Sequence, residues 1–318
     1  MNTRFSITCL MCCCLLLLST HAGTTPLSER YQGDIPDIGY FGRMEKVLYS
    51  ADAKDTTIAT NVLIKEIFGQ IGMKSEIKLY VDVEKLKQDL SNNYIDAVFI
   101  DIFDYFKMEH LLNTDYIHTV LFSPNIHQKI LLITRKKDHI SKVEELRGKS
   151  ISIPSGHFNG NYYLDTELLK RGLPQSANFF AHIEEVNDIN TAVIDLFFGK
   201  TDCALVTDVT YELAAEYNKQ IPKNLEILLS SVNIVPQIIA MNKNIPISIT
   251  QEVSSHLTKA NENPRIKNLL SLFQAKKFVK LKKSQILESR RLFSEYQVMM
   301  KLLGSRKHDY PSSSGDAK

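Results

Sequence analysis

The stretch LRGKSISIPSGHFNGNYYLDTELLKRG (Leu146–Gly172) reads as a turn, a short strand over SISI, a polar loop, then a helix opening near Asn159 and closing at Gly172. A loop in that position holds free backbone N–H groups in front of a helix N-terminus, which is a ready site for an anion. The unit is therefore both a fold signal and a candidate ligand site.

The same rhythm extends in both directions. DIGYF (Asp37–Phe41) is a plausible first strand. Asp55 then caps a helix in which Ile58, Val62, Ile67 and Ile71 keep helical spacing, and Gly72 ends it. EIKLYV reads as a strand, DVEKLKQDLSNN as a helix and IDAVFID as a strand, the βαβ pattern of a mostly parallel sheet. Past Leu146–Gly172, NFFAHIEEV reads as a strand, INTAVIDLFFGK as a helix, DCALVT as a strand and DVTYELAAEYN as a helix.

Two longer β-type runs, HQKILLITRKK (His127–Lys137) and VPQIIAMN (Val235–Asn242), separate the blocks. Two α/β blocks joined by two long strands imply two lobes with a double crossover, the second lobe inserted into the first. The expected division is 23–135 and 236–304 for the first lobe and 136–235 for the second. Ligands of open α/β sheets bind beyond the carboxyl ends of the strands, so the cleft between lobes is the expected site. IDAVFID and TDCALVTD repeat one design, an apolar strand ending in an acid, Asp101 or Asp208. Each acid either caps the next helix or faces the cleft, and capping does not exclude facing it.

The N-terminus carries Arg4, an apolar run from Phe5 to Leu18, then small residues, the order of a secretory signal. Residues 1–22 are expected to be removed after Ala22, because the run falls short of the ~20 residues of a spanning helix; an uncleaved anchor is the alternative. Cys9, Cys12, Cys13 and Cys14 lie inside this segment, so the mature chain keeps only Cys203 and forms no intrachain disulfide. Cys203 in DCALV reads as a buried small residue. Lys and Arg total 38 against 36 Asp and Glu, so the charge balance implies neither nucleic acid nor a membrane surface as partner. The polar residues 305–318 read as a disordered tail.

Five segments in register carry a resemblance: SADAKDTTIATNVLIKEIFGQIG, NNYIDAVFIDIFDYFKME, VEELRGKSISIPSGHFNGNYYLDTELLKRG, NTAVIDLFFGKTDCALVTDVTYEL and VPQIIAMNKNIP. From Asp37 to about Phe278 the chain resembles the periplasmic phosphate/phosphite/phosphonate-binding proteins of ABC transporters. The resemblance implies an α/β, two-lobed type II periplasmic-binding-protein fold. Each lobe would be a mostly parallel sheet flanked by helices, with two crossover hinge strands. It further implies an exported protein that closes on a small anionic or polar solute and delivers it to an ABC permease. A ligand-sensing partner of a membrane kinase or cyclase is the alternative.

Where the family carries a Ser-Thr-Ser-Gly type run, this chain has His157, Phe158, Asn159 and Gly160; the glycine is kept and the hydroxyls are not. The family's His-acid pair is matched by Ile189 and Asn190, and its acid after the following strand by Asp208. An aromatic of the first lobe often lines the cleft, a position that Phe99 or Tyr105 would fill. The expected ligand-binding set is Ser155, His157, Asn159, Gly160, Asp208, Asp101, Phe99 and Tyr105. Ser155 and Asn159 would serve as side-chain donors, or simply as a turn closer and a helix cap. Catalysis is not expected: Asp101, Asp104, His157 and Asp208 have no spacing that demands a metal or acid/base set, and there is no His-x-x-x-His or Cys pair. No cofactor and no metal are expected, and the protein is expected to be a monomer. The basic segment Lys276–Leu303 has an imperfect stripe of Leu281, Ile286, Leu292 and Met299, read as one face of a solvated helix or as a docking surface.

Overall fold

The computed structural model describes residues 31, 38–44, 53–122, 125–154, 158–186, 190–273 and 275–308. The chain runs through β1 (Ile38–Met44), α1 (Ala53–Gly69), β2 (Lys74–Tyr80), α2 (Val83–Ser91), β3 (Ala97–Asp101), α3 (Ile102–Met108) and β4 (His118–Leu121). It continues through β5 (Ile130–Arg135), β6 (Ser150–Pro154), α4 (Phe158–Lys170), α5 (Ser176–Phe179), β7 (His182–Val186), α6 (Thr191–Phe198), β8 (Cys203–Thr207), α7 (Asp208–Tyr217), α8 (Ile221–Asn224) and β9 (Leu225–Ser230). It ends with β10 (Gln237–Met241), α9 (Ile247–Lys259), α10 (Pro264–Leu272), β11 (Lys277–Lys280) and α11 (Leu287–His308).

The strands form two sheets, in the order β11-β4-β10-β3-β1-β2 and β7-β6-β8-β5-β9. Both are mixed. The βαβ units supply the parallel pairs, β1 with β2 and β3, and β6 with β7 and β8. The strands that arrive from the other block add antiparallel pairs: β10 lies between β3 and β4, and β5 between β8 and β9. The first sheet thus takes strands from both sides of the second in sequence, which makes the α/β fold two-lobed. β5 pairs with β8 and β9 of the second sheet.

Helix α1 begins two residues before Asp55, which lies inside it, and its buried face shares Ile67 with the expected stripe but not Ile58 or Val62. Ile58 is 54% exposed and Val62 is 38% exposed; Thr60, Leu63, Ile67 and Phe68 face the core. Only a small rotation about the axis separates the two faces, and packing against the sheet decides between them. The run NFFAHIEEV opens as the short helix α5 before β7 begins at His182. Strands β4, β9 and β11 have no counterpart in the sequence reading. In β11 Phe278 is buried and Val279 half-buried between exposed Lys277 and Lys280, apolar residues hidden in a lysine-rich run. Gly42 of β1 is required by close approach: a Cβ there would lie 2.5 Å from Leu86 Cδ1.

One apolar cluster runs from Leu86 and Leu90 of α2 through Phe103 and Tyr105 to Leu164, Leu168 and Phe293, and so joins both lobes. Another lies under the first sheet between α1, α9 and α10. A third backs the second sheet through Val193, Leu196 and Ile221.

Candidate functional site

Strands β3, β6 and β8 each end at a helix start, where the backbone N–H groups of a first turn are left over. At the end of β3, Asp101 satisfies them itself: Oδ1 accepts from Phe103 N at 2.8 Å and Asp104 N at 2.9 Å. Asp101 is therefore the N-cap of α3. Burial pushes its carboxyl pKa upward, and the neighbouring Asp104 adds to the rise, outweighing the amide hydrogen bonds. Lys107, one turn on, bonds Asp104 Oδ1 and the hydroxyl of Tyr162, each at 2.7 Å. Tyr162 belongs to α4, so this lysine joins the lobes. Burial draws the Lys107 pKa down, but Asp104 and Tyr162 outweigh it and the net push is upward.

The lobes also meet at a backbone carbonyl. Pro236 O, just before β10, accepts from Ile102 N at 3.3 Å and from Asn159 Nδ2 at 3.0 Å. The residue after Asp101 and the start of α4 are thus held to one oxygen on the crossover chain. Asn159 is 1% exposed, and among the described residues its buried Oδ1 has no hydrogen-bond partner. Gln237, the buried residue after Pro236, lies opposite Asp101 across β3 and β10.

On β8, Thr207 and not Asp208 is the N-cap of α7, its Oγ1 accepting from Thr210 N at 3.1 Å. Asp208 is the first helical residue and half-buried; its N donates to Lys129 O at 2.9 Å and its Oδ1 accepts from Val209 N at 2.9 Å.

The remaining expected residues separate. Gly160 is buried in the first turn of α4. Ser155 and His157 lie outside the described residues. Phe99 lines an apolar cavity of about 80 Å³ inside the first lobe, walled also by Phe41, Met241 and Phe273. Tyr105 is a core residue, 1% exposed and 5.5 Å from the Phe106 ring, and offers no surface to a ligand. Burial pushes its phenol up to about 12. The structure therefore ties Asn159 and Ile102, the residue after Asp101, to one acceptor, and sets Phe99 and Tyr105 into the packing of the first lobe. Sequence reasoning missed Pro236, whose carbonyl carries no side-chain signal, and the Lys107–Tyr162 link, which joins residues far apart in the chain.

Cys203 is buried on β8, and burial pushes its thiol pKa upward. Among the described residues no cluster of three His, Cys, Asp or Glu could hold a metal ion, and no helix is long and apolar enough to cross a membrane.

The family model described as the periplasmic substrate-binding protein of phosphonate ABC transporters matches residues 47–286. No curated protein matches the chain. The fold is similar to XAC2383 from Xanthomonas citri bound to ATP, with TM-score 0.60 and 14% identity over 83% of this chain and 98% of that one. It is similar also to the binding protein component of an ABC phosphonate transporter, PA3383, from Pseudomonas aeruginosa (TM-score 0.59, 14% identity, 83% and 87% covered). PhnD1 from Prochlorococcus marinus in complex with methylphosphonate gives TM-score 0.59 at 13% identity, covering 84% of this chain and 98% of that one.

Proposed function

The chain belongs to the periplasmic substrate-binding proteins of phosphonate ABC transporters, and on that premise we propose that it holds a small anionic or polar solute between its lobes and hands it to a permease. Proteins of this family bind small solutes, work with a permease and are not enzymes. The division into lobes at about residues 136 and 236, export through residues 1–22 and the monomeric state belong to the same proposal.

The observation that supports the proposal is the shared acceptor Pro236 O, which takes Ile102 N of the first lobe, next to Asp101, and Asn159 Nδ2 of the second at the chain that joins them. Groups from both lobes at one point are what a binding protein needs if ligand is to stabilise the closed form. Asp208 adds a half-buried carboxylate at the end of β8. No observation favours the sensing alternative over delivery.

A thermal-shift screen of the exported protein tests the proposal, with phosphate, phosphite, alkylphosphonates, aminoalkylphosphonates, carboxylates and amino acids as the panel. A ligand at 100 times its dissociation constant adds about 2.7 kcal/mol, an upward shift of several degrees for a chain of this size. At least one member is expected to give that shift. No shift from any member would overturn the reading.

A further inference from the structure

The first sheet leaves open space on the face that it turns to α1, α9 and α10. Arg43 of β1, Phe99 of β3, Ile239 of β10 and His118 of β4 stand in one row across that face. The next row runs Phe41, Ala97, Met241, so Ala97 sets a single methyl between two long side chains. On the covering side Ser254 of α9 and Ala275, just past α10, are small as well, and the gap stays unfilled. Phe99 and Ile239 belong to inner strands of the sheet, yet both are only half-buried.

This space is the cavity of about 80 Å³ beside Phe99. A single water needs roughly 10–15 Å³, and a packed interior holds few voids larger than that. The cavity surface is almost wholly apolar, because the polar groups in its wall are engaged: His118 with Ser254, Tyr116 with Gln251, and Arg43 and Thr60 with partners of their own. Water would find no set of hydrogen-bond partners there, so the site suits an apolar guest. Its walls come from four neighbouring strands, β1, β3, β10 and β4. Three strand spacings make about 14 Å. A volume of about 80 Å³ drawn out along that direction is narrow. A ring or a branched group needs width, whereas one unbranched alkyl chain does not. The two long chains of a bilayer lipid exceed the space.

We propose that this cavity takes the unbranched alkyl chain of a small amphiphile, seated over Ala97 between the sheet and α1, α9 and α10. Two effects favour it: the chain leaves water, and the cavity wall regains the contacts that an empty void forfeits. The site lies inside the first lobe, away from the Pro236 junction, and the proposal does not rest on the solute-binding reading.

Methionine-methyl NMR of the protein, titrated with 1-hexanol and with its branched isomer 3,3-dimethyl-1-butanol, tests this. The isomers share six carbons and one hydroxyl, so only their shape differs. 1-Hexanol is expected to shift the methyl of Met241, which lines the cavity, and to leave that of Met108, buried in the cluster that joins the lobes, unmoved. Its Kd should be at least tenfold tighter than that of the branched isomer, which overpacks a narrow space. Ala97→Leu fills the gap and should abolish the Met241 shift. No Met241 shift with 1-hexanol, or equal affinity for the two isomers, would overturn the proposal, and these arms need no variant to fold. A shift that survives in folded Ala97→Leu, or one produced by phosphatidylcholine vesicles alone, would also overturn it.

Discussion

His118 shows how one buried side chain fixes a pH response. Its Nδ1 lies 3.2 Å from Tyr116 O, which can only accept, so Nδ1 carries the proton and Nε2 accepts from Ser254 Oγ at 3.0 Å. Burial lowers its pKa to about 4, and Lys280 adds to the depression against the two hydrogen bonds. Well above pH 6.5 the ring is neutral folded and unfolded, and titration contributes nothing. As the pH falls from about 6.5 to 4 the unfolded chain takes up a proton that the native ring refuses, so stability drops. The depression predicts a loss of about 3 kcal/mol across that window. Urea unfolding at a series of pH values should show it, and His118→Gln should flatten the slope. An unchanged slope in that variant would place the acid sensitivity elsewhere.

Helix α11 was only half legible in the sequence. The basic run Lys276–Leu303 is not one helix: it contains β11, a short 3-10 turn and then α11. Of the expected stripe, Leu281, Ile286 and Leu292 are buried, but the decisive residue is Phe293, which the stripe omitted. Its ring stacks on Phe103 of α3 at 5.6 Å, and Tyr162 of α4 lies edge-on at 6.3 Å. Val235 N donates to the buried Ser289 Oγ at 3.0 Å, so α11 also grips the crossover chain. The helix straps both lobes, and its Lys301 is exposed. Burial predicts very different costs along it. Phe293→Ala should cost about 3–5 kcal/mol, because it empties a site shared by three elements. Glu295→Ala removes the Lys170–Glu295 pair at 2.6 Å, both partners more than a third exposed, and should cost no more than ~1 kcal/mol. Urea midpoints of the two variants compare these directly; similar losses would mean that the strap acts through its charges.

At the scale of the whole molecule, the alternation of short apolar runs and amphipathic segments was enough to reach a two-lobed α/β fold, because those patterns report burial. The acids closing IDAVFID and TDCALVTD were legible as strand ends, yet they differ in detail. Asp101 caps its helix, whereas Thr207 does so for Asp208. Phe99 and Tyr105 were unreadable as core residues, since an aromatic beside a strand end looks the same from sequence whether it faces a cleft or a neighbouring helix. Strands β4 and β11 are short, and only their non-local pairing with each other and with β10 defines them. The central claim is that one solute is gripped by helix starts of both lobes. Hydrogen–deuterium exchange with and without a ligand from the thermal-shift screen tests it most directly. The account predicts slowed exchange together at Ile102–Asp104, at the start of α4 and at Val209–Thr210. Protection confined to one lobe, or to the apolar cavity around Phe99, would contradict it.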